Sequence, residues 1–488
     1  MSSDSTKTNT QVALMRAGID RSLSHPVMFF LMHGALWLGL SILLGLVSSI
    51  EIHNPGFLDD CGPMNFGRVH AAHINLLVYG WGMQAAFAVI LWLMARLSNK
   101  ECTMGGSILT AGFVWNFGIG LGTLGILFGY GSGMSWMEFP SFAWPLLLAA
   151  YAVIVIGSFI QFRVQPEEGA GSISQWYLLA AMIWFPWVFL TANIMIHCLP
   201  GHPVMAAAIN AWFKSGMMYL FFTPVALGAA CFITPKVTGR GLFSNTLSKI
   251  GFWSLAVIAP WAGMQKLAGA PLPAFLPYLG GAATALLFIP ACAASINNLR
   301  TILADRETLA LSPALRFTTV GLFSLVLLTL GGVFLNLPNS TLKATQFSVS
   351  GYSAEILGLY GFFSFVIFGA VYFMVPRLTR REWLSRRLIR WHFLFSLYGI
   401  VTLAIVTLLG GYLQGQDQEN WKLPWATAAQ SGAAYAWATS FAWCMILLSN
   451  VLFFLHLTLM WFRLGRRSQN PTLLTVPQAS EPAQSAAH

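Results

Sequence analysis

Twelve stretches of this sequence stay apolar for longer than a water-soluble domain readily accommodates. They run approximately over 27–50, 71–97, 105–130, 142–162, 176–198, 212–234, 250–267, 277–297, 316–335, 354–375, 392–413 and 435–462. About 20 residues cross the hydrocarbon of a bilayer. Backbone groups in lipid need internal partners, so runs of this length are helices rather than strands. The composition agrees: 9% of residues are charged, where a soluble protein has roughly 25%. The sequence therefore predicts an all-α integral membrane protein of about twelve transmembrane helices. The first run follows a polar stretch, is too long for a signal-peptide core and has no cleavage pattern, so it counts as a span. Residues 1–26 form a polar amino-terminal segment, with an amphipathic piece around Val12–Leu23 expected on the membrane surface. Residues 27–463 form the membrane domain. Residues 464–488, rich in Ala, Pro, Gln and Ser, read as a disordered tail.

Charge sets the expected orientation. With the amino terminus, alternate loops and the tail on one side, that side holds 21 of the 26 lysines and arginines. The other side keeps Arg68, Lys343 and Lys422, while Lys214 and Lys266 fall within the ends of spans. The positive-inside rule then predicts that both termini are cytoplasmic. The net charge of +10 reflects topology; its partner is the lipid bilayer, and no nucleic acid is needed to explain it.

The polar residues inside the runs are few. His70 and His73 lie three apart near the start of the second run and share a helix face. A neutral imidazole there is a candidate haem ligand; hydrogen bonding within the bundle is the plainer alternative. His33 in the first run reads as a satisfied core histidine. His197 and His202 sit at the outer boundary, and His392 and His456 near inner helix ends, where packing explains them. Lys214 and Lys266 lie in the outer third. Either they snorkel to headgroups or they face the interior with a role. Glu355 is the acidic residue expected in a span. The glycines of the third run suit close helix packing, and no G-x-x-x-x-G-K-[ST] phosphate loop occurs. Six scattered cysteines form neither C-x-x-C-H nor C-x-x-C, which argues against attached c-type haem and against zinc or iron-sulfur sites. Cys61 and Cys198 share the expected outer side; a disulfide between them is the alternative, and single free thiols are the expectation.

The stretch Phe66-Gly67-Arg68-Val69-His70-Ala71-Ala72-His73-Ile74-Asn75 resembles the second helix of haem-copper oxidase subunit I, most of all the cbb3-type cytochrome c oxidases. Gln175-Trp176-Tyr177, Thr234-Pro235-Lys236, Trp261-Ala262-Gly263, Pro376-Arg377-Leu378 and Trp391-His392-Phe393 follow in the family's order. The resemblance covers roughly residues 25 to 465. It implies a subunit I bundle in the cell inner membrane, working with other membrane subunits such as a membrane-anchored c-type cytochrome. It also implies two b haems and a copper ion, with His73 at the low-spin haem position.

The remaining ligand positions depart from that pattern. Counting from the landmarks, the helix-6 copper histidine falls on Ser215, and the two helix-7 histidines on Gln265 and Lys266. The tyrosine six residues before them falls on Ala259, and the two helix-10 haem ligands on Ala354 and Ile356. No histidine occurs between 203 and 391, so a small misalignment does not restore the set. Copper takes imidazole or sulfur, which these side chains lack. The expectation is a divergent subunit I homologue of a respiratory electron-transfer complex that does not reduce oxygen by itself. It would hold at most one haem b on His73, with His33 or His70 as the other ligand, and no copper. An active oxidase or nitric oxide reductase with relocated ligands, or an ion-conducting, transport or structural subunit using Lys214, Lys266 and Glu355, are the alternatives. An ion pair between Lys266 and Glu355 is expected across the former metal position.

Overall fold

A computed structural model describes residues 2–163, 171–199, 201–337 and 340–467. Its described residues form helices and turns, with no strand beyond an isolated bridge between Arg381 and Arg467. We number the long helices in chain order: α1 (Ser2–His53), α2 (Phe66–Ser98), α3 (Gly105–Leu127), α4 (Ala143–Gln161), α5 (Ile173–Cys198) and α6 (Pro203–Thr238). There follow α7 (Asn245–Ile258), α8 (Phe275–Leu303), α9 (Pro313–Phe334), α10 (Ser350–Thr379), α11 (Arg386–Glu419) and α12 (Trp425–Trp461). Eleven are long and apolar enough to cross a membrane.

The exception is α7. The seventh run was expected over 250–267, but its helix has 14 residues and ends at Ile258. Pro260 lacks an N–H and disfavours helix at the residue before it. The chain passes through a tight turn at Ala259–Trp261 and then through positive φ at Gly263 and Met264. Gly263 is needed for space as well as conformation: a Cβ there would lie 2.8 Å from the Ala211 carbonyl of α6.

The amino-terminal expectation also changes. Val12–Leu23 is not a separate surface piece. It is the first part of α1, which continues through Pro26 into the span. Ile19, Asp20 and Leu23 are buried. Asp20 accepts from the Trp92 indole at 3.0 Å and meets Arg96 Nε at 3.3 Å, which ties this extension to α2. At the other end α1 runs to His53, so Glu51, beyond the expected end of the first run at residue 50, is helical and buried. The tail from 468 onward lies outside the described residues; Arg466 before it accepts a backbone bond from Glu382 at 3.0 Å.

Three helices are encased by the others. The most apolar stretches of α2, α6 and α10 are almost wholly buried, whereas large side chains of α3, α4, α9, α11 and α12 are exposed outward, as lipid-facing residues would be. Each central helix contains a π-helical turn: Leu76–Gly82, Met217–Phe222 and Leu357–Ser364. Such turns rotate the face that follows them and recur at functional sites. The six cysteines are free, with Cys61 and Cys198 exposed, as the sequence suggested.

Candidate functional site

The amino-terminal halves of α2, α6 and α10 converge on a group of polar side chains. Lys214 Nζ on α6 donates to Glu355 Oε1 on α10 at 2.8 Å. The Trp136 indole donates to the other carboxylate oxygen at 2.9 Å. The pair is partly covered, at 30% and 24% side-chain exposure, so its attraction is stronger than that of a surface pair. Lys266 is not the partner expected from sequence: it lies beyond ion-pairing distance of Glu355 among the described residues. The break after α7 turns its chain toward the start of α10, where a methyl group on Gly351 would collide with the Lys266 ammonium. Gly351 lies one helical turn before Glu355, so the Lys266 ammonium stands on the same face of α10 as the carboxylate that Lys214 bonds, and one carboxylate serves two lysines.

Trp136 comes from the connection between α3 and α4. Trp136, Met137, Glu138 and Phe139 are all buried. The segment plugs into the bundle with Tyr79 donating to the Trp136 carbonyl at 2.8 Å and Asn210 to the Ser135 carbonyl at 2.8 Å. It carries Glu138 to Asn75 on α2, whose amide donates to Glu138 Oε2 at 2.5 Å. Burial pushes the Glu138 carboxyl up to about 7, against the lowering effect of the Asn75 hydrogen bond. Glu138, Trp136 and Asn75 were not singled out from sequence. The acid-aromatic run Trp136-Met137-Glu138-Phe139 reads as an ordinary boundary loop until tertiary contacts show that it is inserted.

His73 is fully buried. Its Nδ1 lies 2.7 Å from the Ser41 carbonyl, and its Nε2 lies 2.9 Å from the Tyr352 hydroxyl. A carbonyl only accepts, so Nδ1 carries the proton and Nε2 receives the Tyr352 O–H. The ring stands edge-on to Trp443 at 5.0 Å between centroids, and a Cβ on Gly45 would come within 2.8 Å of it. The lone pair that would bind iron is therefore engaged, and the ring is packed on both sides.

The other histidines do not complete a pair. His70 lies on the same helix, 6.1 Å from His73 between centroids, where a porphyrin between them would have to pass through their own backbone. His33 bonds to the Phe29 carbonyl of its own helix at 2.9 Å and stacks on Phe29. The arrangement of these three histidines does not fit a haem on His73, so the expected His73–His33 or His73–His70 haem site is not supported by the geometry.

The residues that the sequence landmarks count onto ligand positions make packing and hydrogen-bonding contacts. Gln265 accepts from Thr284 at 3.3 Å. The Lys266 backbone carbonyl accepts from Gln346 at 2.7 Å. Ala259 and Ile356 are buried, Ala354 is exposed, and Ser215 faces Gly263. No group of three or more His, Cys, Asp or Glu side chains with metal-binding geometry occurs among the described residues.

The polypeptide I family of cytochrome c and quinol oxidases matches residues 25–449. This chain belongs to the haem-copper oxidase subunit I family. It is 24% identical to a cytochrome c oxidase subunit 1 homolog of Agrobacterium tumefaciens (strain T37) over 80% of this chain and 73% of that one. It is also 24% identical to the cbb3-type cytochrome c oxidase subunit CcoN1 of Stutzerimonas stutzeri over 78% and 81% of the two chains. A heme-copper terminal oxidase dimer solved by cryo-electron microscopy shares the fold at TM-score 0.71 and 13% identity, over 92% of this chain and 86% of that one. Subunit I of such oxidases is a multi-span membrane protein that normally binds haem and works with other subunits. The multi-span part of that description fits the eleven spans.

Proposed function

We propose that this chain is a divergent, cbb3-like subunit I homologue in a respiratory electron-transfer complex and that it does not reduce oxygen by itself. The observation that carries this reading is the Tyr352 hydroxyl on His73 Nε2 at 2.9 Å. The one histidine at a family ligand position spends its iron-binding lone pair on a protein hydroxyl. Nearby, a lysine–glutamate pair supplies local charge balance. In this reading Ser215, Ala259, Gln265, Lys266, Ala354 and Ile356 are retired ligand or cross-link positions, and copper is not held. The chain sits in the cell inner membrane with both termini cytoplasmic. It assembles with other membrane subunits, a membrane-anchored c-type cytochrome among them.

The test is a pyridine haemochrome and elemental count on purified protein, with oxygen uptake measured in parallel. The expected result is at most one haem b per chain, no stoichiometric copper and no oxygen uptake. Two b haems with copper and oxygen uptake would establish the active oxidase reading instead.

The Lys214–Glu355–Trp136 contacts favour one other reading, an ion-conducting or transport subunit, because intramembrane charges that face the interior often line a path. In reconstituted vesicles that reading requires ion flux that is abolished by Lys266→Met or Lys214→Met in correctly assembled protein.

A further inference from the structure

At the opposite, basic end of the bundle lies a cavity of about 500 Å³ that the reading above does not use. Four cations line it, each from a different helix: Arg16 of α1, Arg96 of α2, Lys236 of α6 and Arg377 of α10. Among the described residues, the acidic side chain paired to this group is Asp20, which meets Arg96 at Nε. Arg96 Nη1 is buried and has no hydrogen-bond partner. The amino-terminal end of α5 also lines the cavity through Ser172, Ile173 and Ser174, adding the positive end of a helix dipole.

Aromatic rings hold three of the cations in place. Arg96 stands over Trp92 at 5.3 Å, Lys236 over Phe232 at 5.9 Å and Arg377 over Phe373 at 3.6 Å. All three rings line the same cavity. Stacking leaves a cation's hydrogen-bonding edge free for a ligand while fixing its position. Four like charges converging on one space repel each other, and an unbonded buried guanidinium N–H is costly. A multiply charged anion relieves both at once. Arginine forks match the oxygens of phosphate, and basic pockets between membrane helices suit anionic headgroups.

We propose that this cavity binds a phosphate-bearing anion, either the headgroup of an anionic phospholipid or a soluble phosphate compound. Two landmark motifs, Thr234-Pro235-Lys236 and Pro376-Arg377-Leu378, thereby contribute a cation each to one site.

The test uses the full chain, purified in detergent and delipidated. Native mass spectrometry measures binding of phosphatidylglycerol and phosphatidylcholine, and calorimetry measures binding of inorganic pyrophosphate. Each is repeated for Arg16→Gln/Lys236→Gln, which alters two exposed side chains, and for Lys249→Gln, an exposed cation that does not line the cavity. Losing one such cation weakens binding about fivefold, so the double variant should bind roughly thirtyfold more weakly, with Lys249→Gln unchanged. Loss of phosphatidylglycerol binding with no pyrophosphate binding in any form identifies the lipid as the source. Pyrophosphate binding with the same dependence identifies a soluble anion. Both outcomes support the site. Equal binding of the two lipids without pyrophosphate binding, or equal weakening by Lys249→Gln, overturns it.

Discussion

Removing the Glu355 charge tests the polar group between α2, α6 and α10 most directly. In Glu355→Gln the side-chain oxygen can still accept from Trp136, but Lys214 and Lys266 both lose their counter-charge. Breaking a fully buried pair by removing one partner costs about 3–5 kcal/mol, and exposed pairs are worth about 1 kcal/mol or less. With the pair 30% and 24% exposed, an intermediate cost of about 2 kcal/mol follows for Glu355→Gln. Lys214→Met should cost about 1 kcal/mol less, because Lys266 remains near the carboxylate left behind. The double variant Lys214→Met/Glu355→Gln removes both charges and should be less damaged than the sum of the singles, with a coupling of about 1–2 kcal/mol. Equilibrium unfolding by SDS titration in mixed micelles, or steric trapping in bilayers, measures all four proteins. Additivity of the two singles within about 0.5 kcal/mol, or equal cost for both, would refute the idea of one carboxylate serving two lysines.

Three further outcomes are expected. Glu138 has its carboxyl raised by burial from the ordinary 4.5 to about 7, so the folded state binds its proton more tightly than the unfolded state does. Stability should therefore fall as pH rises from about 4.5 through about 7, and Glu138→Gln should remove this dependence, gaining up to roughly 3 kcal/mol at pH 8. An infrared carboxylic-acid band that titrates near pH 7 and vanishes in Glu138→Gln checks the assignment. Gly415→Ala places a methyl group into the Ala344 carbonyl, where the short helix Thr341–Gln346 before α10 packs on α11. It should cost about 1–3 kcal/mol, read by thermal unfolding in detergent, whereas Gly120→Ala, whose Cβ would meet nothing, should be neutral or stabilising. Tyr352→Phe leaves His73 Nε2 buried without its donor and should cost about 1–3 kcal/mol. A gain in bound haem in Tyr352→Phe, seen as a Soret band after reconstitution, would show that the hydroxyl had been competing with iron.

Much of the architecture was legible because it rests on local properties. Length and apolarity of the runs dictate helices in a bilayer, whatever they pack against. The landmark motifs placed His73, Ser215 and Ile356 on the second, sixth and tenth spans, and the structure puts them on α2, α6 and α10; Gln265, expected within the seventh span, lies instead in the turn beyond the early end of α7. The cysteine pattern favoured free thiols over a Cys61–Cys198 disulfide, and the distances leave the six cysteines free. Less was legible where a residue's role depends on what folds against it. Asp20 sits in a polar stretch that reads as surface, but α1 extends through it and Trp92 and Arg96 cover it. Glu138 looks like a loop acid until the segment around Trp136 is seen to enter the bundle.

The choice of ion-pair partner shows the same division. The sequence alone placed two lysines and one glutamate near the outer ends of three helices, because charge is rare in such a chain and each instance stands out. It pointed to Lys266 as the partner of the carboxylate, and the structure gives Lys214 instead. That was decided by the early stop of α7 at Pro260 and the left-handed turn at Gly263 and Met264, which send Lys266 toward Gly351 and leave Glu355 to Lys214. Residue type and spacing determined that the chain is a helical membrane bundle, because lipid imposes one solution on the backbone. Tertiary packing decided where its lone pairs and charges are spent, because a hydrogen bond depends on ångström-scale positions that no linear spacing encodes.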